Sequence, residues 1–411
     1  VTGFSDLARA AADARQTRPD VPLALATLVD VDGSSYRQPG ARLLVDAEGR
    51  VLAGAVSGGC LEGDVAARAA AVCASGQAVR LHYDLRADLE TIWGFGAACD
   101  GVAHLLLEPL TDWRWLAQAE AIRQRRAGGA VVTVLTPGGG RTAALLDGDA
   151  GGGEARDGGW RPVPGAEASA DDAMRGAMHA AAALARRTGA AHAVPVPDSD
   201  VTIFADPLIA PVALHVVGAS RGAEAFATIA GTMGWQVTVI DHRPSLLDAL
   251  VLPEGARAIP VRHTEGVTAL LDALPTDART AVALLTHTYD VDAAWLQAVL
   301  TRPVGYIGVL GSRQRGAKLL ADVERRLATD GVTMTPRMRQ VVHAPIGLDV
   351  GGEDPAAIAM AAIGEISAVM HGRPGGFLRE RQSPIHTRTD TPRLRDSAEP
   401  MAPDRCDLPL D

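Results

Sequence analysis

Aromatic side chains are scarce in this chain of 411 residues, at 4%, while hydrophobic residues reach 47%. Its cores must therefore be built from Ala, Val and Leu rather than from large rings. Cysteine is sparse too, with four residues at 60, 73, 99 and 406, no C-x-x-C and no paired framework. That pattern fits a reducing cytoplasm, excludes a disulfide scaffold and argues against a structural zinc site. No apolar run approaches the roughly 20 residues that span a bilayer, so no membrane is expected. The formal net charge is −10, and no strongly basic block is present to neutralise phosphates, so no nucleic acid is expected either. The first stretch, VTGFSDLARAAADARQ, carries charges throughout and reads as an amphipathic helix rather than a signal peptide.

What is present is an α/β pattern long enough for about two or three domains. Strand candidates at 23–29, 41–45 and 51–56 lead to a helix over 61–74, then to strands at 78–83 and 102–108. A helix over 113–126, strands at 130–136 and 141–146, a helix over 171–187 and a strand at 201–205 follow. The segment 151–165 is rich in Gly, Asp and Pro and reads as an exposed loop inside a variable stretch at about 145–190. Two prolines in 206–211 mark a boundary, so 1–210 reads as an N-terminal α/β domain. From Val212 strands alternate with helices of about 10–15 residues, the signature of a Rossmann-like, doubly wound parallel sheet over 211–375. The stretch 376–411 is polar and proline-rich and reads as a largely disordered tail. No internal repeat or coiled coil is visible.

The stretch the chain is organised around is VLAGAVSGGCLEGD, 51–64. Gly58 and Gly59 permit a tight strand-to-helix turn and uncover backbone N–H groups, and Cys60 falls at or just before a helix N-terminus, where thiolate is favoured over thiol. Such a thiol suits a soft metal, sulfur transfer or an anionic ligand; a plain turn carrying a small side chain is the alternative. Cys99 lies in a second Gly-rich loop, whereas Cys73 reads as core and Cys406 as incidental. Arg37 and Arg42 flank Pro39-Gly40 as candidate phosphate or carboxylate ligands.

In the second domain, Gly218, Ser220 and Ala223 stand where a dinucleotide fingerprint has three glycines, and Asp241 stands at the ribose-binding position. The turn keeps an anion-ready helix start, with Ser220 and Arg221 as donors. Gly311-Ser312-Arg313, with Arg315 and Lys318 beyond it, is a second such turn, read equally as helix capping. His287 follows a strand end that faces the same crevice, and His343 precedes Pro345 in a similar setting.

Taken together, GSSYRQPGARLLV (33–45), AVSGGCLEGDV (55–65) and GFGAACDGVAHLLLEPL (94–110) resemble the N-terminal domain of xanthine dehydrogenase accessory factors, the XdhC/CoxI family. VVGASRGAEAF, VTVIDHRP, LLTH, YIGVLGSRQR and HAPIGLDVGGEDPAAIAMAAIGEI resemble that family's Rossmann domain, and GRPGGFLRER with SPIH resembles its C-terminal segment. Tyr36, where proline is common, and Asp100, where Gly or Asn is common, depart from the pattern. The resemblance implies a cytoplasmic, homodimeric chaperone, not itself catalytic, that binds molybdenum cofactor (molybdopterin). It further implies that such a protein supports sulfuration of the cofactor with a cysteine desulfurase and inserts it into an apo molybdenum hydroxylase of the xanthine or carbon monoxide dehydrogenase type. Carried over by motif, Arg42, Ser57, Gly58, Gly59, Cys60, Glu62, Cys99 and Gly101 are its expected site, with Cys60 a molybdenum ligand or sulfur acceptor. Gly218, Ser220, Asp241, His287, Gly311, Ser312 and Arg313 are further expected cofactor-binding residues, with the helix starts at Gly218–Ser220 and Gly311–Arg313 offering donors to its phosphate. An NAD(P)-dependent oxidoreductase using the second domain, and a scaffold that recruits the desulfurase without holding cofactor, are the competing readings.

Overall fold

Runs of Ala, Val and Leu form both the strands and the helix faces that cover them in the computed structural model, which describes residues 3–33, 35–85, 101–148, 160–163, 172–262 and 266–382. Contacts divide the chain into two units, one of Val1–Ala210 with Arg381–Asp411 and one of Pro211–Glu380.

The first unit begins with α1 (Phe4–Thr17), whose Phe4, Leu7, Ala11 and Ala14 fall on one buried stripe. There follow β1 (Leu23–Gly33), β2 (Arg42–Asp46), β3 (Val51–Gly54), α2 (Glu62–Ser75), β4 (Val79–Asp84) and β5 (Gly101–Pro109). These strands make an antiparallel sheet in the order β3-β2-β1-β5-β4. Val65, Ala69 and Val72 of α2 cover one face of it against Leu43, Val45 and Leu105. Gly76, at φ +66°, ends α2 in the left-handed conformation glycine adopts without cost.

The second half of this unit repeats the first. It runs α3 (Arg114–Gln124), β6 (Gly129–Thr136), β7 (Gly139–Asp147), β8 (Trp160–Pro162), α4 (Asp172–Thr188), β9 (His192–Pro195) and β10 (Thr202–Leu208). Its strand order is β8-β7-β6-β10-β9, again antiparallel and in the same sense. Both halves are therefore α-β-β-β-α-β-β units with the middle strands in the same places.

Side chains carry the repeat further. Asp46 closes β2 and pairs with Arg18, the residue capping α1, at 2.8 Å and with Arg50 at 3.0 Å. Asp147 closes β7 and pairs with Arg125, the residue capping α3, at 2.7 Å and with Arg161 at 3.4 Å. The absence of a visible sequence repeat is thus corrected by the structure: few identities survive, while pairing pattern and the buried acid with two arginines persist. The loop expected over 151–165 is corrected in part as well, since Trp160–Pro162 adds the edge strand β8.

The second unit is a parallel sheet built from β11 (Ala213–Val217), α5 (Arg221–Thr232), β12 (Gln236–Asp241), α6 (Pro244–Asp248), β13 (Arg257–Pro260), α7 (Val267–Ala273), β14 (Thr280–Leu284), α8 (Tyr289–Leu300), β15 (Tyr306–Val309), α9 (Arg313–Thr329), α10 (Pro336–Gln340), β16 (Val342–His343) and α11 (Pro355–Met370). The order β13-β12-β11-β14-β15-β16, with parallel pairing throughout, is the 3-2-1-4-5-6 arrangement of the Rossmann fold. Two apolar layers sandwich it, one centred on Trp295 and Leu296 and one on Phe226 and Tyr306.

Candidate functional site

In the first unit the strand β3 leads into Ser57-Gly58-Gly59-Cys60, and α2 starts at Glu62 with Leu61 as its cap residue. The loop is organised by Glu62, whose carboxylate turns back and accepts the N–H groups of Val56 (3.0 Å), Ser57 (2.8 Å) and Leu61 (3.3 Å) and the Ser57 hydroxyl. Ser57 Oγ in turn accepts the N–H groups of Gly59 and Leu61, each at 3.1 Å. Burial pushes the Glu62 carboxyl up, but the hydrogen bonds from Ser57 and Val56 outweigh it and hold the group below the usual glutamate range. The donors expected to wait for an anion are therefore largely turned onto the protein's own carboxylate.

What this latch presents to solvent is Cys60, which is exposed. Gly59, at φ +117°, has a backbone that side-chain-bearing residues avoid, and a Cβ there would meet nothing within 4 Å, so the turn next to Cys60 is open at Gly59. Tyr36 stands over Gly58, with 3.6 Å from its Cγ to a Cβ built there, and the Arg37 guanidinium lies 5.5 Å from the Tyr36 ring centre. Arg42 is placed differently: it is 6% exposed, ion-paired with Asp206 at 2.5 Å and stacked on Phe4 at 4.7 Å. Its guanidinium is a buried structural cation of the first unit. Cys99 lies outside the described residues, and Gly101 begins β5.

In the second unit, parallel strands bring the expected turns to one edge of the sheet. Gly218, at φ +114°, sits at the switch point: a Cβ there would lie 3.1 Å from the backbone of Leu285 and 3.2 Å from Thr286 N. Only glycine lets the β11 and β14 turns approach so closely. Ser220 caps α5 by accepting the Ala223 N–H, and Ser312 caps α9 by accepting the Arg315 N–H. Arg313 is the exposed first residue of α9, Gly311 precedes it at φ +135°, and His287 is exposed in the turn after β14.

Asp241 is engaged within the protein. It accepts the Ala219 N–H at 2.6 Å and the Arg243 N–H, Nε and Nη2 at 2.8–2.9 Å. Burial alone would raise its pKa, but these donors win and lower it to about 2. A ribose would have to compete with Arg243. Asp292, fully buried, bridges the β14 turn and α9 by accepting Thr286 Oγ1 at 2.5 Å and Arg315 Nη2 at 2.6 Å. Burial pushes its carboxyl up against the opposing effect of Thr286 and Arg315.

Sequence reasoning missed Arg243, Asp292 and the Glu365 cluster, where Glu365 receives Tyr306 OH at 2.5 Å and Gly347 N–H at 2.7 Å and lies 3.1 Å from His343 Nδ1. Arg243, two residues beyond the expected ribose acid, was the one local signal available. Among the described residues no cluster of three or more His, Cys, Asp or Glu side chains forms a metal site, and no helix is long and apolar enough to cross a membrane.

Comparison with known proteins bears on both units. Residues 17–84 match the family model described as "XdhC and CoxI family", and residues 214–366 match the one described as "XdhC Rossmann domain". A Bacillus subtilis protein, named as a probable subunit of xanthine dehydrogenase, is 26% identical over 342 residues, 83% of this chain and 91% of that protein. An uncharacterized Escherichia coli protein, YqeB, is 30% identical over 172 residues, 42% of this chain and 30% of that one. A Bacillus halodurans crystal structure titled a xanthine dehydrogenase covers 91% of this chain and 97% of its own, with a TM-score of 0.65 and 22% identity, a likeness of fold. With both of its domains matched in order, and more than half of its length with them, the chain belongs to the XdhC and CoxI family, whose members have an accessory role toward xanthine dehydrogenase.

Proposed function

We propose that this protein is a chaperone that binds molybdenum cofactor and supports its sulfuration and insertion into a molybdenum hydroxylase, with Cys60 as the working residue. The observation that carries this reading is the exposed thiol at the tip of a loop locked by Glu62, with open space at Gly59. A soft thiolate matches the soft end of such a cofactor. The fit is partial, because Glu62 and Ser57 already engage the N–H groups of Val56, Ser57, Gly59 and Leu61. Phosphate binding falls instead to Arg37 beside the loop. When bound, the cofactor supplies the molybdenum centre of the client enzyme; the protein's own part is to hold it and to offer Cys60 to sulfur.

Sulfur delivery by a cysteine desulfurase requires no oxidant: the outer sulfur of the donor persulfide passes to the Cys60 thiolate, and the donor cysteine leaves as thiolate. A homodimer and a cytoplasmic setting belong to the same proposal. The test is co-purified pterin, read by fluorescence after oxidation. Wild-type protein expressed in a cofactor-producing host carries it and Cys60→Ala loses most of it; equal pterin in both removes the thiol from the account.

A second reading, NAD(P) binding by the second unit, is favoured by the 3-2-1-4-5-6 strand order and opposed by the engagement of Asp241. Titration with NAD and NADP separates the two, and the absence of binding at millimolar cofactor eliminates it.

A further inference from the structure

The two halves of the first unit meet through equivalent contacts. Leu23 lies opposite Asp46 and Gly129 opposite Asp147, which aligns Thr27 with Thr133; their cross-strand partners, Arg42 and Thr142, are then equivalent. In the same register Leu25 faces Glu108 and Val131 faces Asp206, each acid followed by Pro-Leu. The contacts are reciprocal, as in an interface with two-fold symmetry. Arg42 of the first half pairs with Asp206 of the second, and Thr142 of the second bonds Glu108 of the first, by its N–H at 2.8 Å and its hydroxyl at 2.6 Å.

The symmetry breaks at this pair of acids. Asp206 has a guanidinium, whereas the equivalent Glu108 meets a threonine, too short to bring a cation. Beside Glu108 lies a cavity of about 390 Å³, whose polar wall is Gln77, Glu108, Asp112, Arg141 and Thr142, with Trp115 beneath. Its volume is within the range of small-molecule sites. Glu108 is only 8% exposed, sits on a buried strand whose other polar side chain is His104, and is pushed up by burial despite Thr142 and the more distant Arg42. Thr142 occupies one acceptor site on each carboxylate oxygen, and each oxygen can accept a second bond.

We propose that this cavity is a ligand site, distinct from Cys60, that takes a group with two parallel N–H donors in the place where the other half holds an arginine. Free guanidinium compounds and the 2-amino-4-oxopyrimidine edge shared by pterins and guanine present that pair. The site lies at the opposite end of α2 from Cys60, about 20 Å away along the helix axis. It does not depend on the thiol's role, so the two proposals fail separately.

Calorimetric titration of the full chain with guanidinium chloride at low concentration, neopterin and guanosine monophosphate tests it, with adenosine monophosphate as the control lacking the donor pair. At least one of the three binds with a Kd below about 1 mM, and the adenosine control binds about tenfold more weakly or not at all. Which probe binds identifies the source: neopterin with guanosine monophosphate points to the shared ring, guanidinium alone to an arginine-like group. Glu108→Gln keeps a partner for both Thr142 groups and weakens binding by roughly ten- to a hundredfold. Thr142→Arg supplies the missing guanidinium and abolishes binding; Thr111→Trp, at an exposed rim position, blocks the mouth if that variant does not fold. A Kd above about 1 mM for all three probes, or equal binding by folded Glu108→Gln, overturns the assignment.

Discussion

The two halves of the first unit share element order, strand order and a buried acid held by two arginines, yet they present different chemistry. The first half places a glycine turn and an exposed cysteine between β3 and α2. The sequence joining β8 to α4 has no cysteine. At their shared interface one acid has an arginine and its equivalent has a threonine beside a cavity. A duplicated scaffold thus keeps the interactions that hold the sheet ends and frees other positions to differ. Function is to be sought where the halves depart from each other.

Substitutions at paired positions probe that asymmetry. Arg42→Ala leaves Asp206 buried without its cation and costs about 3–5 kcal/mol in urea unfolding, whereas Thr142→Ala removes neutral donors from Glu108 and costs about 1–2 kcal/mol. Equal losses contradict the asymmetry. Asp46→Ala is next, at about 2–3 kcal/mol, because Asp46 also accepts the N–H groups of Glu48 and Arg50, each at 3.0 Å. Asp147→Ala costs about 1 kcal/mol, since its arginines are half-exposed and its Oδ1 has no partner among the described residues.

Glu62→Gln loosens the cysteine loop by about 1 kcal/mol, visible as faster hydrogen exchange at Val56 and Ser57 with little change in global unfolding. The pH dependences of the two glutamates have opposite sign. Glu62 is held below its ordinary 4.5, so its contribution is present above that pH and is lost on acidification through the folded value. Glu108 is held above 4.5, so it destabilises the fold as pH rises through 4.5 toward its raised value, and Glu108→Gln removes that part of the slope. A slope unchanged in Glu108→Gln refutes this. Cys60→Ser is the smallest, within about 0.5 kcal/mol, as expected for an exposed side chain.

The parallel sheet of the second unit was legible because its central strands, β11, β12, β14 and β15, are buried on both faces and read as largely apolar runs, and because Gly218, Ser220 and Asp241 sit at strand ends. The five-residue helices α6 and α10 were not, being too short to show a helical period. The duplication of the first unit was hidden for a different reason. Its pairings, β1 with β5 and β6 with β10, join distant segments, and the equivalence of Glu108 with Asp206 follows from register rather than from local pattern. At the site, Cys60 and its glycines were readable, but the direction of the loop's N–H groups was not. The Glu62 latch depends on a carboxylate turning back over five residues, and Tyr36 reaches Gly58 from a separate loop.

The most direct measurement is activation of an apo xanthine dehydrogenase by this protein supplied with molybdenum cofactor, comparing wild type with Cys60→Ser at matched unfolding midpoints. The account predicts that Cys60→Ser loses most of the activation while its stability stays within about 0.5 kcal/mol of wild type. Activation equal to wild type would contradict it.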